Sequence, residues 1–440
     1  MKIDYSYKNL NKNSYGSLVI KLFSVLVTII TTPLILRILG EELYGVWVSI
    51  VSVASWIYYL DLGIGDGLRI KLTESLAICA YKKARGYIKN AYVLSNIMSI
   101  FVAIIFILGT KIINLYKFLN IDKDVCNNLN SIIVTVTFFV CVNFVLSLSN
   151  NIYYAIQKPA YVVFGTLVYQ ILYLFGIIVL LFNHMYYSIL FLVVIDGASQ
   201  LFKNILSMLW VFRNNKELIP RKERMSRKNS GVIIKIGLKS FLIKVSALVL
   251  NATDNVIILK FIGGKYVTNY SICFNYFNMI TILMATMVVT YQSSYTALMK
   301  KHDVFGIKRN MKKSLMIFMV YVCATLVGSL LFRTLSYIWL GYKLEISNKL
   351  IFLFSIYAIL LMITHLFSVF LNGIGKINAI TFAAMIQIVL NIPVSVFFIK
   401  FLGGKVEGAI LATVFSTFVS AVIYGLSGVK EYKKILEEVY

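Results

Sequence analysis

The sequence predicts an all-α integral membrane protein of about twelve transmembrane helices, arranged as two pseudo-symmetric six-helix bundles. Three observations carry that prediction. The 440-residue chain is 59% hydrophobic and only 14% charged, with a mean hydropathy of +0.82. Apolar runs of helical length, each needing about 20 residues to cross a bilayer, recur twelve times along it. Displacing the sequence by 223 positions lays the first run on the seventh. Twelve spans occupy roughly 240 positions and leave only loops and tails, which excludes a cytosolic enzyme, a DNA-binding factor and a single-pass receptor.

The first run, 16–38, follows a polar start and holds Pro33 and Arg37 with no small-residue cleavage site. It is expected to be a retained helix rather than a signal peptide. The second, 43–62, carries Ser49, Ser52, Trp56 and Tyr59, a polar and aromatic stripe suited to hydrogen bonding and to stacking on sugars. Runs three to six cover 90–113, 132–155, 160–182 and 188–212. A basic segment with Pro220, Arg221, Lys222, Arg224, Arg227 and Lys228 then divides the chain into an N-terminal lobe, 1–212, a cytoplasmic linker, 213–235, and a C-terminal lobe, 236–440. The second half repeats the pattern at 236–260, 267–293, 314–333, 349–371, 378–400 and 407–429.

Lysine and arginine set the expected orientation, because basic loops resist translocation. With the N-terminus inside, the inner segments hold 28 of the 43 basic residues and the outer loops nine. Both termini are therefore expected to be cytoplasmic. Much of the net charge of +25 is topogenic, with attraction to anionic membrane lipid as a further consequence; it is not evidence for nucleic acid. Five scattered cysteines, of which only Cys126 falls in an outer loop, imply no disulfide framework.

The remaining six basic residues, Lys21, Arg37, Lys203, Lys239, Lys244 and Lys260, lie within the spans. A charge at the bilayer centre costs about 2.5 to 3.5 kcal/mol by insertion scales, so each needs a partner, a wet cavity or a route to the interface. In the repeat Lys21 meets Lys244, Arg37 meets Lys260 and Gly40 meets Gly263. Lys21, Thr28 and Thr32 share one helical face, as do Lys244, Asn251 and Asn255. These matched stripes predict a hydrated cationic cavity between the lobes, with Lys203 and Lys239 adding charge; snorkelling to the surface is the plainer alternative. Ser271, Asn275 and Asn278 repeat the polar stripe of the second run, and helix packing through polar residues explains both stripes equally. Asp196 and Asp254 are candidates for binding a coupling proton or sodium ion, with pairing to a buried lysine the favoured reading. His365 reads as a packed histidine.

The sequence contains no phosphate-binding loop, no His-Glu-x-x-His, no cysteines at metal spacing and no Gly-x-Ser-x-Gly elbow. No cofactor is expected, and energy would come from an ion gradient, the membrane potential or consumption of the product.

Leu39-Gly40-Glu41-Glu42-Leu43-Tyr44-Gly45-Val46-Trp47, then Leu60-Asp61-Leu62-Gly63-Ile64-Gly65 before a basic segment, resembles the start of the O-antigen flippase (Wzx) and polysaccharide-exporter family. Trp339-Leu340-Gly341, Leu371-Asn372-Gly373-Ile374-Gly375-Lys376 and the Gly403-Gly404 with Gly408-Ala409 bracket are similar to its later signposts. The resemblance spans essentially the whole chain and implies the fold of the multidrug, oligosaccharidyl-lipid and polysaccharide (MOP) exporter superfamily, to which MATE transporters also belong. It implies a polyprenyl-diphosphate-linked oligosaccharide as substrate, flipped to the periplasmic leaflet of a bacterial inner membrane during lipopolysaccharide biosynthesis, with a polysaccharide polymerase and chain-length regulator as partners. The alternatives are ion-coupled multidrug efflux on the same fold, a polysaccharide-assembly enzyme, for which the outer loops are short, and a scaffold.

Overall fold

A computed structural model describes residues 7–437 apart from 60–61, 124–125, 127, 184–187, 221–222, 224, 301 and 402–404. For 7–18, 22, 59, 239–240, 242–244, 246–252, 293, 297 and 300 it describes the backbone alone. Every regular element among the described residues is helical. The first unit, residues 1–244, contains α1 (Tyr7–Tyr59), α2 (Ile64–Ala77), α3 (Tyr81–Ile112), α4 (Leu115–Leu119), α5 (Leu129–Leu146), α6 (Leu148–Ala155), α7 (Pro159–Phe182) and α8 (Ile189–Asn214). It also takes the front of α9 (Arg227–Phe261). The second unit, 245–440, holds the rest of α9 with α10 (Gly264–Val289), α11 (Tyr291–Lys300), α12 (Val304–Leu340), α13 (Asn348–Gly373), α14 (Asn378–Phe401) and α15 (Glu407–Glu437).

Ten helical spans are long and apolar enough to cross a membrane among the described residues, and one of them, Val19–Tyr58, at 40 residues is long enough for two. That stretch covers the first and second predicted runs, whose join is Gly40, non-helical at φ 73°, ψ 173°. At the repeat-equivalent position Gly263 has φ 128°, ψ 168° and separates α9 from α10. Both conformations lie in territory that a side chain makes costly, by about 1–3 kcal/mol, so glycine is required at each end of the repeat. The seventh run lies within α9. The fourth divides at Ser147 into α5 and α6, which the sequence did not announce.

Local chemistry accounts for other boundaries. Asn114 caps α4 by accepting from the Lys117 amide at 3.2 Å, Asp303 caps α12 through the Gly306 amide at 2.8 Å, and Ser347 caps α13 through the Leu350 amide at 3.1 Å. Pro159 opens α7, where its missing N–H is harmless. Gly341, at φ 83°, closes α12.

Large apolar side chains face outward in rows: Ile97, Phe101, Ile104 and Leu108 on α3, Phe175 and Phe182 on α7, Met316, Met319, Val327 and Leu330 on α12, Val389 and Phe397 on α14. Such belts are stable only against lipid, and helices that satisfy their own backbone are what a bilayer admits. The molecule is a multi-pass membrane protein.

The segment expected to be a linker belongs with the first unit, and the division falls within α9. Arg85 pairs with Glu223 at 2.5 Å, and Asn90 Oδ1 accepts from the Ser226 amide and the Ser230 hydroxyl, each at 2.9 Å. Ile233 joins a core with Ile64, Leu68, Leu72, Ile88, Ile152 and Leu218. Gly63 and Gly237 bring two backbones together so closely that a Cβ on Gly237 would stand 2.4 Å from the Gly63 carbonyl oxygen.

Candidate functional site

Membrane helices bury polar groups only at a cost, so the side chains that do so mark the candidate sites. Among the described residues, each unit contains such a cluster around a carboxylate.

In the first unit α8 carries Asp196, Gln200 and Asn204 at intervals of four, one face of the helix. The Tyr169 hydroxyl of α7 donates to Asp196 Oδ1 at 2.5 Å, and Tyr58 of α1 donates to Gln200 Oε1 at 2.7 Å. Tyr173 stacks on Tyr169 with centroids 6.1 Å apart, and its buried hydroxyl has no partner among the described residues. Asn204 Nδ2 donates to Asn143 Oδ1 at 2.8 Å, and Asn143 Nδ2 donates to the Gly197 carbonyl at 3.2 Å. A cavity of about 200 Å³, lined by Trp47, Tyr58, Phe139, Asn143, Asp196 and Gln200 among others, opens beside this network.

In the second unit Asp254 is 1% exposed. Its Oδ2 accepts from Tyr270 at 2.5 Å and from Thr413 at 2.6 Å, and its Oδ1 accepts from Ser395 at 3.4 Å. Hydrogen bonds to a charged group are the stronger kind, worth about 1.5–3 kcal/mol each, so hydroxyls from α10, α14 and α15 hold the carboxylate in place. Tyr270 is itself fixed edge-on against Phe354, 4.9 Å between centroids.

Among the described residues the expected pairing of these carboxylates with buried lysines does not occur, the side chains of Lys239 and Lys244 lying outside them. Among the described residues, the partners of Asp196 and Asp254 are hydroxyls. Lys203 instead donates to Asn204 Oδ1 at 2.8 Å, its stem lying along α7 where a Cβ on Gly165 would meet Lys203 Cδ at 3.4 Å. The physical reason is that a neutral amide satisfies the ammonium within its own helix turn, while the tyrosines reach the carboxylate from the neighbouring helix.

Lys21 is exposed on α1; of its stripe, Thr28 accepts from Gln170 Nε2 at 3.1 Å and Thr32 bonds back to the Thr28 carbonyl at 3.1 Å. The side chains of Lys239, Lys244, Asn251 and Tyr59 lie outside the described residues, as do Asp61 and Gly403-Gly404 entirely. Ser49 and Ser52 are buried and bond back to their own helix at 3.0 and 2.9 Å, as membrane helices do with hydroxyls. Trp56 Nε1 is buried with no partner among the described residues. Asn275 is half-buried, and Asn278 Oδ1 lies 3.2 Å from the Thr281 hydroxyl. The structure therefore places Asp196 with Tyr169, Lys203 with Asn204 of its own helix and Asn143 of α5, and Asp254 in a separate cluster of the second unit, and leaves Asn275 and Asn278 outside all three.

Tyr58, Asn143, Tyr169, Gln200 and Asn204, and in the second unit Tyr270, Asn391, Ser395 and Thr413, escaped the sequence reading. Amides within apolar helices were the available signal, at Asp196/Gln200/Asn204 and at Gln387/Asn391/Ser395, four residues apart in each case.

Neither a protein-family model nor a curated relative matches the sequence. Solved structures do. A multidrug resistance MATE family transporter of the MOP superfamily in its inward-facing conformation superposes with a TM-score of 0.77 at 14% identity, over 96% of this chain and 99% of that one. The outward-facing conformation of a transporter so described gives 0.68 at 13%, over 98% and 96%. A MOP superfamily transporter from Pyrococcus furiosus, described as having a binding pocket of reverse polarity that suggests a different function, gives 0.68 at 14%, over 97% and 96%. The fold is thus the two-bundle MATE/MOP fold, as predicted.

Proposed function

We propose that this protein is an alternating-access transporter that moves a polyprenyl-diphosphate-linked oligosaccharide, the repeat unit of a bacterial surface polysaccharide, from the cytoplasmic to the outer leaflet of the inner membrane. The observation that carries the reading is the sign of the intramembrane charge. The six basic residues assigned to the predicted spans, Lys21, Arg37, Lys203, Lys239, Lys244 and Lys260, outnumber the four carboxylates in the same runs, Asp61, Asp196, Asp254 and Glu407, in a chain of net charge +25. A diphosphate needs cations along its path, and sugars need hydrogen-bonding and aromatic groups such as Trp56, Tyr59, Asn275 and Asn278. Both termini face the cytoplasm in this reading, a proton or sodium gradient supplies the energy, and the polymerase with its chain-length regulator receives the product.

Efflux of small organic cations is the second reading. The first unit's cavity favours it, because Asp196 beside Trp47 and Tyr58 is the chemistry that holds an ammonium group. Depletion in the native host separates the two. Loss of surface polymer with lipid-linked units accumulating on the cytoplasmic side supports flipping, whereas intact polymer with altered drug tolerance supports efflux. Accumulation of unpolymerised units on the outer face would instead point to a polymerase or scaffold.

A further inference from the structure

The outer ends of the second unit's helices are more basic than topology explains. In the orientation proposed above, nine basic residues lie in outer segments. Six of them, Lys265, Arg333, Lys343, Lys349, Lys400 and Lys405, fall at this unit's three outer turns, where Glu345 and Glu407 are the carboxylates. The outer segments of the first unit are balanced, with Lys111, Lys117 and Lys123, and Arg37 in the place of Lys260, against Glu41, Glu42, Asp122 and Asp124. Basic segments resist translocation, so the excess in the second unit opposes insertion. Helix electrostatics oppose it as well. Two turns share the pattern Lys260-Phe261-Ile262-Gly263-Gly264-Lys265 and Lys400-Phe401-Leu402-Gly403-Gly404-Lys405. Lys260 and Lys400 close α9 and α14, where a cation suits the helix dipole. Lys265 and Lys349 instead stand in the first turns of α10 and α13, and Lys405 just ahead of α15, at helix ends that favour anions. The structure joins the three turns into one face. Lys265 pairs with Glu345 Oε2 at 3.2 Å, Asn269 Nδ2 donates to the Glu345 carbonyl at 3.1 Å, and Ser347 Oγ of the same turn donates to Glu407 Oε1 at 2.5 Å. Both carboxylates are engaged within the face, and its lysines are exposed.

We propose that this face is a docking surface for an acidic glycan, a chain of sugars bearing carboxylate groups, met as it emerges on the outer side of the membrane. The assignment rests on the transport reading for its direction, and it makes the transported oligosaccharide an acidic one. Lysines supply compact charges on flexible stems, which suits carboxylates spaced along a moving chain. Rings stand among them: Phe261, Tyr266 and Phe401 are 42%, 46% and 74% exposed, and an aromatic face can stack on a sugar ring. The Lys260 ammonium lies 5.9 Å from the centre of the Phe261 ring, which holds charge and ring side by side. The guanidinium of this end, Arg333, is committed to Asn348 Oδ1 at 2.9 Å, so the face offers dispersed lysines rather than the bidentate clamp that fixes a phosphate. Contacts of this kind are weak and screened by salt, as a product that must be handed on requires. An anionic phospholipid headgroup is the poorer fit, because Lys343 and Lys405 lie in the turns themselves, beyond the apolar spans, where a hydrophilic chain reaches more readily than a headgroup anchored by its acyl tails.

The test uses the purified full-length protein in nanodiscs of zwitterionic lipid, with binding of fluorescent oligogalacturonate read by anisotropy and a maltooligosaccharide of equal length as the neutral control. Oligogalacturonate should bind saturably, and the neutral sugar at least tenfold more weakly. The combined variant Lys343→Gln, Lys349→Gln, Lys405→Gln changes exposed side chains and should lower the affinity for oligogalacturonate at least tenfold. The matched variant Lys308→Gln, Arg309→Gln, Lys312→Gln changes three exposed cations at the opposite end of the unit and should leave it within twofold. Equal binding of the two sugars, or equal loss in the two variants, would overturn the proposal. So would unchanged glycan affinity in the outer variant together with loss of phosphatidylglycerol retained in native mass spectrometry, which would give the face to outer-leaflet lipid. Because binding is read without transport, glycan binding by a protein that flips no lipid-linked sugar would overturn the transport reading and leave the surface standing. Flipping with no glycan binding would do the reverse.

Discussion

The front of α9 carries two glycines whose replacement by alanine should act in opposite directions. At Gly237 an added Cβ would stand 2.4 Å from the Gly63 carbonyl oxygen, 2.6 Å from its carbon and 2.9 Å from the Leu62 carbonyl oxygen. All three are backbone atoms, so no rotamer change relieves the contact and a helix must move by about an ångström; overpacking of this kind costs about 1–3 kcal/mol. The reciprocal change fares worse, since Gly63 has φ +71° and its Cβ would approach Gly237 oxygen to 2.0 Å. At Gly231, two turns earlier, nothing lies within 4 Å, and alanine should gain about 0.5–1 kcal/mol by helix preference alone. The assay is apparent melting temperature in detergent by fluorescence-detected size exclusion, with the two single variants and their combination. Gly237→Ala should melt several degrees lower and Gly231→Ala slightly higher. Equal, small shifts for both would refute the inference that α9 is pinned to the end of α1 and the start of α2.

Reversing charge at both Lys21 and Lys244 should abolish export while leaving the protein in the membrane; normal surface polysaccharide in that double variant would remove the cationic-path argument. Gly40→Ala and Gly263→Ala should each lower thermal stability by about 1–3 kcal/mol through backbone conformation alone, and neutrality at either site would break the structural equivalence of the two repeats. Burial pushes the Cys126 thiol up to about 11. Since only the thiolate is nucleophilic, maleimide labelling of Cys126 should be slow at pH 7 and rise about tenfold per pH unit until the pH nears that value; rapid labelling at neutral pH would contradict it. Tyr169→Phe removes the hydroxyl that holds Asp196 and should lower transport in proteoliposomes severalfold without loss of the folded protein; unchanged transport would exclude the Tyr169–Asp196 pair from the pathway.

The architecture was legible because its signals are long. Twenty-residue apolar runs announce helices, and the pairing of Gly40 with Gly263 announced the repeat, down to a shared positive φ. The domain boundary was not legible, because composition marked 213–235 as a basic loop while its attachment depends on pairwise contacts such as Arg85 to Glu223. The sites were half legible. Asp196, Asp254 and Lys203 stood out as charges in spans, but their partners are tyrosine, threonine and asparagine side chains contributed from helices distant in sequence. A hydroxyl in an apolar helix usually bonds back to its own turn, as Ser49 does, so sequence alone does not distinguish it from Thr413, which reaches across to Asp254.

The most direct measurement reconstitutes the purified protein in proteoliposomes containing a radiolabelled polyprenyl-diphosphate oligosaccharide and follows, under an imposed sodium or proton gradient, the leaflet in which the sugar is accessible to a membrane-impermeant glycosidase. Gradient-dependent transfer of the lipid-linked sugar, without uptake of organic cations, is the predicted result. Uptake of organic cations with the sugar left in its original leaflet would contradict it.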